Sequence, residues 1–200
     1  MRIILSGVVG AGKSTISEKL SKRYADYLLM NEPVKENPYL DEYYRNPQQT
    51  AFKMQVYMLM ARSQQLKLTK GKANVIFDRS VMEDVIFVEV LKDLQLINDI
   101  DYQVYCDFYH NVVLESVYLD NLITPDLIVF LRVSSSTAIQ RIKVRGRSSE
   151  LLVDENYWVL LNEKYEQWYE KYKTKFNFLV IESDDKSIDE ITNIIISKLK

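Results

Sequence analysis

Along the 200-residue chain, short apolar runs alternate with longer stretches in which apolar residues recur every three or four positions. The short runs are Arg2–Leu5, Tyr27–Met30, Val75–Phe77, Leu127–Val133 and Phe178–Ile181, each bounded by polar or turn residues. Runs of this length predict strands buried on both faces. The longer stretches predict helices at about 14–25, 49–69, 82–95, 102–122, 134–145, 154–173 and 187–199. Pro125 and Asp126 open the fourth strand, and Asp154 is placed to cap the helix that begins there. Strands alternating with helices predict an α/β fold: a five-stranded parallel sheet, covered by helices on both faces and joined by right-handed crossovers. Five glycines, four prolines and no internal repeat leave no linker, so one domain over residues 1–200 is expected.

Parallel sheets hold ligands at the carboxyl ends of their strands, which singles out the residues after Leu5, Met30 and Phe77. The first strand runs into Gly7-Val8-Val9-Gly10-Ala11-Gly12-Lys13-Ser14-Thr15, which satisfies G-x-x-x-x-G-K-[ST] in full. Such glycines let backbone N–H groups turn inward around phosphate oxygens, and the helix behind them adds its positive end. Lys13 is set to reach β- and γ-phosphates, and the Ser14 hydroxyl to ligate Mg²⁺. After the second strand, "NEPV" keeps Glu32 at the sheet edge, because Pro33 turns the chain away. After the third, "FDRS" puts Asp78 behind an apolar run, where an acid is costly unless it faces a cation. A metal-facing aspartate there is the second half of a P-loop site; a cap for the helix from Val81 is the alternative. Arg79 beside it suits either a carboxylate or a phosphate.

Two helices carry further chemistry. In "AFKMQVYMLMARSQQL", Ala51, Met54, Gln55, Met58 and Arg62 share one stripe, so Gln55 and Arg62 are polar groups set into an apolar face. An amide donates and accepts at once, which suits reading the edge of a base. In "AIQRIKVRGRSSE", Arg141 and Arg145 are i,i+4 neighbours with Lys143 and Arg147 close by. Like charges at that spacing repel, and a polyphosphate held between them offsets the repulsion.

Net charge of −2 supplies no field for nucleic acid. The apolar run near the start is only Ile3–Leu5, and no run approaches the length of a membrane span, so neither an export signal nor a membrane segment is expected. One cysteine, Cys106, and one histidine, His110, exclude an internal disulfide, leave too few soft ligands for zinc, and suit the cytoplasm.

The P-loop, "EPV", "DRS", the "FKMQVYMLMAR" helix and "RIKVRGRSSE" occur here in the order found in the deoxynucleoside kinases. The resemblance spans nearly the whole chain and is nearest to the bacterial deoxyadenosine kinase branch. It implies a P-loop kinase that uses ATP and Mg²⁺ to phosphorylate the 5′-OH of a deoxyribonucleoside in nucleotide salvage. Deoxyadenosine is the expected substrate, with deoxycytidine or deoxyguanosine also accepted. At matching positions, the resemblance implies that Glu32 is the general base, that Asp78 is linked to Mg²⁺, and that Arg79 holds the 5′ region and the base catalyst, with Lys13 acting on the phosphates. It implies that Gln55 pairs with the nucleobase beside Met54, with Arg62 and Asp84 lining the base pocket. Tyr44 and Glu150 then bind the sugar 3′-OH, and Arg141, Arg145 and Arg147 form a lid at about 141–150. Asn37 stands where many relatives carry tryptophan, and Asp78 where the animal enzymes carry glutamate; both bear on substrate preference.

A thymidylate-type kinase shares the P-loop, the DR dipeptide and a lid, but an acid suited to deprotonating a hydroxyl argues against it. A GTPase needs an N-K-x-D motif, which the chain lacks. A non-catalytic, kinase-like structural subunit is expected to lose Lys13, Glu32 or Asp78. Finally, Tyr102, Tyr105, Phe108, Tyr109, Val112, Val113 and Leu122 cover more than one stripe of the 102–122 helix. A helix apolar on most sides must be buried on most sides, so a homodimer through this helix is expected, as the resemblance also implies.

Overall fold

The computed structural model describes residues 1–34, 36–119 and 124–199, with Tyr118 and Leu119 as backbone only. The five apolar runs form one parallel sheet in the order β2-β3-β1-β4-β5. β1 (Arg2–Ser6) lies at the centre, between β3 (Val75–Asp78) and β4 (Leu127–Arg132), with β2 (Leu28–Met30) and β5 (Phe178–Glu182) at the edges. β1, β3 and β4 are almost wholly buried, as their unbroken apolar runs require. Register determines what shares an edge: Leu5 pairs with Asp78, and Met30 with Phe77. The chain therefore leaves β1, β2 and β3 at one place, and the loops carrying Gly7, Glu32 and Arg79 emerge together.

Helices flank the sheet. α1 (Lys13–Arg23) packs on α9 (Ile188–Lys198), while α4 (Asp84–Asp93) packs among α3 (Pro47–Leu68), α5 (Asp99–Phe108) and α8 (Glu155–Tyr172). α7 (Ser135–Arg145) follows β4, and a short α2 (Leu40–Arg45) precedes α3. The Asp154 cap forms as expected, its Oδ1 accepting from the Asn156 N–H at 2.8 Å. α2 escaped the periodicity because six mostly polar residues carry no repeat. The helix expected from residue 82 opens with a 3₁₀ turn, Val81–Glu83, before α4 begins.

The expected 102–122 helix is different in kind. It starts at Asp99, where Asn98 Oδ1 accepts from the Asp101 N–H at 2.8 Å, widens into π geometry over Tyr109–Leu114, and continues as α6 (Glu115–Leu119). Tyr105, Tyr109, Val113 and Val117 are buried at a strict spacing of four. In a uniform α-helix each step of four overshoots the turn by about 40°, and the wider π turn takes up that drift. A second stripe, Ile100, Val104, Phe108 and Val112, is 45–75 % exposed. Burial on most sides is thus not met within one chain, and Leu122 lies outside the described residues.

The phosphate loop depends on glycine where neighbours crowd it. Gly10 has φ 87°, and a Cβ there would stand 2.7 Å from the Ala138 carbonyl oxygen. Gly10→Ala is expected to cost about 1–3 kcal/mol in backbone strain. Thermal unfolding should show a lowered Tm, and calorimetry a nucleotide affinity weakened more than about tenfold, since 1.4 kcal/mol is a factor of ten.

Candidate active site

α1 begins at Lys13 behind Gly12, whose φ of 93° leaves the helix without a side-chain cap or a first-turn acid. Its leading N–H groups are therefore directed at whatever anion enters the loop. Lys13 is 6 % exposed and folds back, its Nζ donating to the Gly7 and Val8 carbonyls at 2.8 Å each. Burial lowers the pKa of this amine, and the nearby Arg79 guanidinium pushes it the same way. Ser14 Oγ donates to Asp78 Oδ2 at 2.5 Å, while Asp78 Oδ1 is buried without a hydrogen bond. A hydroxyl and a carboxylate with an orphaned oxygen are hard donors, and they fit a Mg²⁺ ion.

A chain of alternating charges crosses the floor of the site. Glu32 Oε1 accepts from Arg62 Nη2 at 2.7 Å and from Arg79 Nη1 at 2.6 Å, and Arg62 Nη1 pairs with Asp84. Both arginine side chains are 3 % exposed, whereas Glu32 is 22 % exposed. Burial acts to raise the Glu32 pKa, but Arg79, Arg62 and Lys13 outweigh it and bring the carboxyl down to about 2. Both guanidiniums use Oε1, so Oε2 makes no hydrogen bond to any described residue. Arg79 also donates to the Gly7 carbonyl at 3.4 Å and lies 4.8 Å from the centroid of the Phe87 ring. Its backbone sits at φ 66°, a left-handed conformation that a non-glycine residue keeps only when its surroundings impose it.

These groups face a cleft of about 160 Å³. Val9, Gly10, Gly12, Lys13, Ser14 and Thr15 line one side, and Met54, Gln55, Met58 and Arg62 of α3 another. Tyr44 and Glu150 complete the wall, and Arg145 and Arg147 stand at the rim. Glu150 binds both of those arginines, at 2.5 Å and 3.2 Å.

Of the expected site residues, Gly7, Val8 and Ala11 of the loop and the side chains of Asp78, Asp84 and Arg141 do not line the cleft. Asp84 and Asp78 stand behind the lining, acting through Arg62 and Ser14. Arg141 does not join Arg145 and Arg147; its Nη2 donates to the Ser183 and Asp184 carbonyls at 2.7 Å and 3.1 Å, tying α7 to the end of β5. The three-arginine cluster expected from spacing is therefore divided, because a root residue of α7 reaches the sheet before it reaches the cleft. Asn37 is 5 % exposed and pins the segment after Glu32 to α3, with Nδ2 at 3.5 Å from the Met54 carbonyl and Oδ1 accepting from the Tyr39 N–H at 2.9 Å.

The sequence reading missed the aromatic wall. Tyr43, Phe87, Tyr157 and Trp158 all line the cleft. Tyr157 and Trp158 lie seven and eight residues beyond Glu150, and that spacing past a site acid was the available signal.

The fold and the loop together define a P-loop kinase. The sequence profile of the deoxynucleoside kinases matches residues 3–199, and the chain belongs to that family. Deoxyguanosine kinase of Lactobacillus johnsonii is 36 % identical, with 99 % of this chain and 92 % of the relative covered. Deoxyadenosine kinase of M. mycoides with bound dATP superposes with a TM-score of 0.90 at 48 % identity, covering 100 % of this chain and 99 % of that one. The same enzyme with bound dCTP gives 0.89 at 47 %, covering 100 % and 98 %. The chain is thus a deoxynucleoside kinase that transfers phosphate from ATP, and the thymidylate-type and non-catalytic readings fall away. Among the described residues no helix is long and apolar enough to cross a membrane.

The depressed Glu32 pKa has a consequence for stability. A carboxyl held below its ordinary 4.5 contributes stability that is present above that pH and is lost as pH falls toward 2. The Tm difference between the wild type and Glu32→Gln should be widest near neutrality and should shrink as pH falls from about 5 to about 3. Calorimetric scans across that range check it.

Proposed function

We propose that this kinase prefers deoxyadenosine, accepting deoxyguanosine or deoxycytidine less well, and that Gln55 reads the base. The observation that carries the reading is the Gln55 amide. It is 4 % exposed, lines the cleft between Met54 and Met58, and hydrogen-bonds no described residue. Its amide opens into the cleft without a partner, and adenine's amino group and adjacent ring nitrogen offer it a donor and an acceptor in turn. The 48 % identity to the M. mycoides deoxyadenosine kinase supports the preference for deoxyadenosine.

In this reading the nucleoside lies along α3 with its 5′-OH at Glu32, and Tyr44 and Glu150 hold the 3′-OH. The γ-phosphate enters the loop, where Lys13 exchanges the Gly7 and Val8 carbonyls for phosphate oxygens. Glu32 Oε2 accepts the hydroxyl hydrogen, aligns the oxygen with the γ-phosphorus, and takes the proton as the new P–O bond forms and the bond from phosphorus to the oxygen of departing ADP breaks. A carboxyl as acidic as this one is a weak base at first. Phosphate charge arriving at Lys13 and Arg79 diminishes the field that depresses it, and a loose transition state asks for little deprotonation beforehand. Ser14 and Asp78 would hold Mg²⁺, which neutralises charge across the β- and γ-phosphates when bound. Arg145 and Arg147 close over the phosphates and exclude water, and Arg141 anchors α7, which carries Arg145 and leads to Arg147 just beyond its end.

Coupled ADP-release assays across the four deoxynucleosides test the substrate. The highest kcat/KM is expected for deoxyadenosine; a higher value for deoxyguanosine overturns the preference. Glu32→Gln should lower kcat by about 10²–10⁴ while leaving nucleoside affinity near wild type. Retention of more than about a tenth of kcat, with chemistry rate-limiting, would remove Glu32 as the base.

The exposed stripe Ile100, Val104, Phe108 and Val112 supports a homodimer through α5 and the π turn. Light scattering should give twice the 23.6 kDa chain mass at micromolar concentration, and Phe108→Glu should return the monomer. A wild-type monomer would refute the assembly.

A further inference from the structure

Glu83 is fully buried, at 0 % exposure, yet it does not line the cleft. It closes a capping box on the 3₁₀ turn after β3: Ser80 Oγ accepts from the Met82 N–H at 3.2 Å, and the Ser80 N–H donates to Glu83 Oε1 at 3.3 Å. Its Oε2 accepts from the Tyr165 hydroxyl at 2.9 Å, itself at 0 % exposure on α8. Capping boxes usually lie at the surface, and removing a carboxylate from water costs more than one capping bond returns. Burial pushes this carboxyl's pKa up, against the charges of Arg79 and Lys13 and the Tyr165 hydrogen bond. The same turn is held a second time, at the Met82 carbonyl, by the Tyr109 hydroxyl at 3.2 Å and the Trp168 Nε1–H at 3.1 Å.

The residue immediately before this turn is Arg79. Its N–H is tied to the Leu5 carbonyl at 3.0 Å, and its φ is 66°. The backbone is therefore fixed on both sides of a conformation it would otherwise leave. Relaxation there would swing the guanidinium away from Glu32 Oε1.

We propose that Glu83 is a positioning residue for phosphoryl transfer: it clamps the Ser80 turn from within and so holds Arg79 in the left-handed conformation that presents its guanidinium to Glu32. The inference rests on the reading of Arg79 and Glu32 as the acceptor side of the transfer site. The clamp works by reach and hydrogen bonding, not by charge alone.

Two variants separate these. Glu83→Gln keeps the reach and the acceptor for the Ser80 N–H, and its amide can donate to the Tyr165 oxygen. Glu83→Asp keeps the charge but falls one methylene short. Glu83→Gln is expected to retain kcat within about threefold, and Glu83→Asp to lose at least about tenfold with an unchanged KM for ATP. In an Arg79→Lys background the Glu83→Asp loss should shrink to within about twofold, because the clamp then has no guanidinium to present. Wild-type kcat in Glu83→Asp overturns the proposal, whatever its Tm, and so does a Glu83→Gln enzyme as impaired as Glu83→Asp. A full tenfold loss repeated on Arg79→Lys also overturns it. Should Glu83→Asp fail to fold, Tyr165→Phe removes the Oε2 partner alone; a reduced kcat supports the clamp and an unchanged one overturns it. An active Glu32→Gln enzyme would remove the general base while leaving the Glu83–Arg79 cycle to be read independently.

Discussion

The chain of charges Asp84–Arg62–Glu32–Arg79 is the constraint around which the rest of the site is organised. Its members come from the exit of β2, the middle of α3, and the stretch that leaves β3 and enters α4, so it joins three segments of the chain. Burying any one of these ions alone would be strongly unfavourable; in alternation each serves as its neighbour's solvent. The position of α3 over the sheet follows from it, and with that position the placement of Gln55 and Met54. The most accessible member, Glu32, is also the one whose free oxygen faces the cleft.

On the opposite wall the protein relies on backbone. Gly7, Gly10 and Gly12 all have positive φ, and the loop they shape is crowded by the Leu131 and Ala138 carbonyls. Side chains would not fit, so backbone N–H groups are what the loop offers an anion, and Lys13 rests on two carbonyl oxygens. One wall of the cleft is backbone shaped by glycines, and the other is side chains braced against each other.

Much of this was legible in the sequence because local patterns carried it. Buried parallel strands are continuous apolar runs, the P-loop is contiguous, and "EPV" and "DRS" lie directly after strands, so register alone brings Glu32, Asp78 and Arg79 to one edge. The stripe on α3 announced Gln55 and Arg62 together. What stayed hidden depends on contacts between distant segments. The destination of Arg141 is a pair of carbonyls 42 and 43 residues away, and spacing within α7 says nothing of them. Tyr157 and Trp158 look like packing residues until α8 is laid against the cleft. Glu83 was visible only as the end of an S-x-x-E pattern, and its burial is set by Tyr165, 82 residues further on. Asn37 was legible only as a departure from the tryptophan of many relatives, because its bonds to Met54 and Tyr39 have no sequence signature.

The π turn in the segment after α5 sets a phase. The inward tyrosines and valines and the outward stripe run one residue apart: Tyr105 beside Val104, Tyr109 beside Phe108, Val113 beside Val112. A helical step turns the chain by about 100°, so deleting one residue within this stretch would carry every later side chain off its face. After a deletion ahead of Tyr109 the inward tyrosines and valines would swing onto the outer face, and the tyrosine that donates to Met82 would leave it. Length there is as constrained as identity. Substitutions along the outer row are tolerated by the fold, whereas insertions and deletions are not, and variation in this family's equivalent stretch should proceed by exchange of residues at constant length.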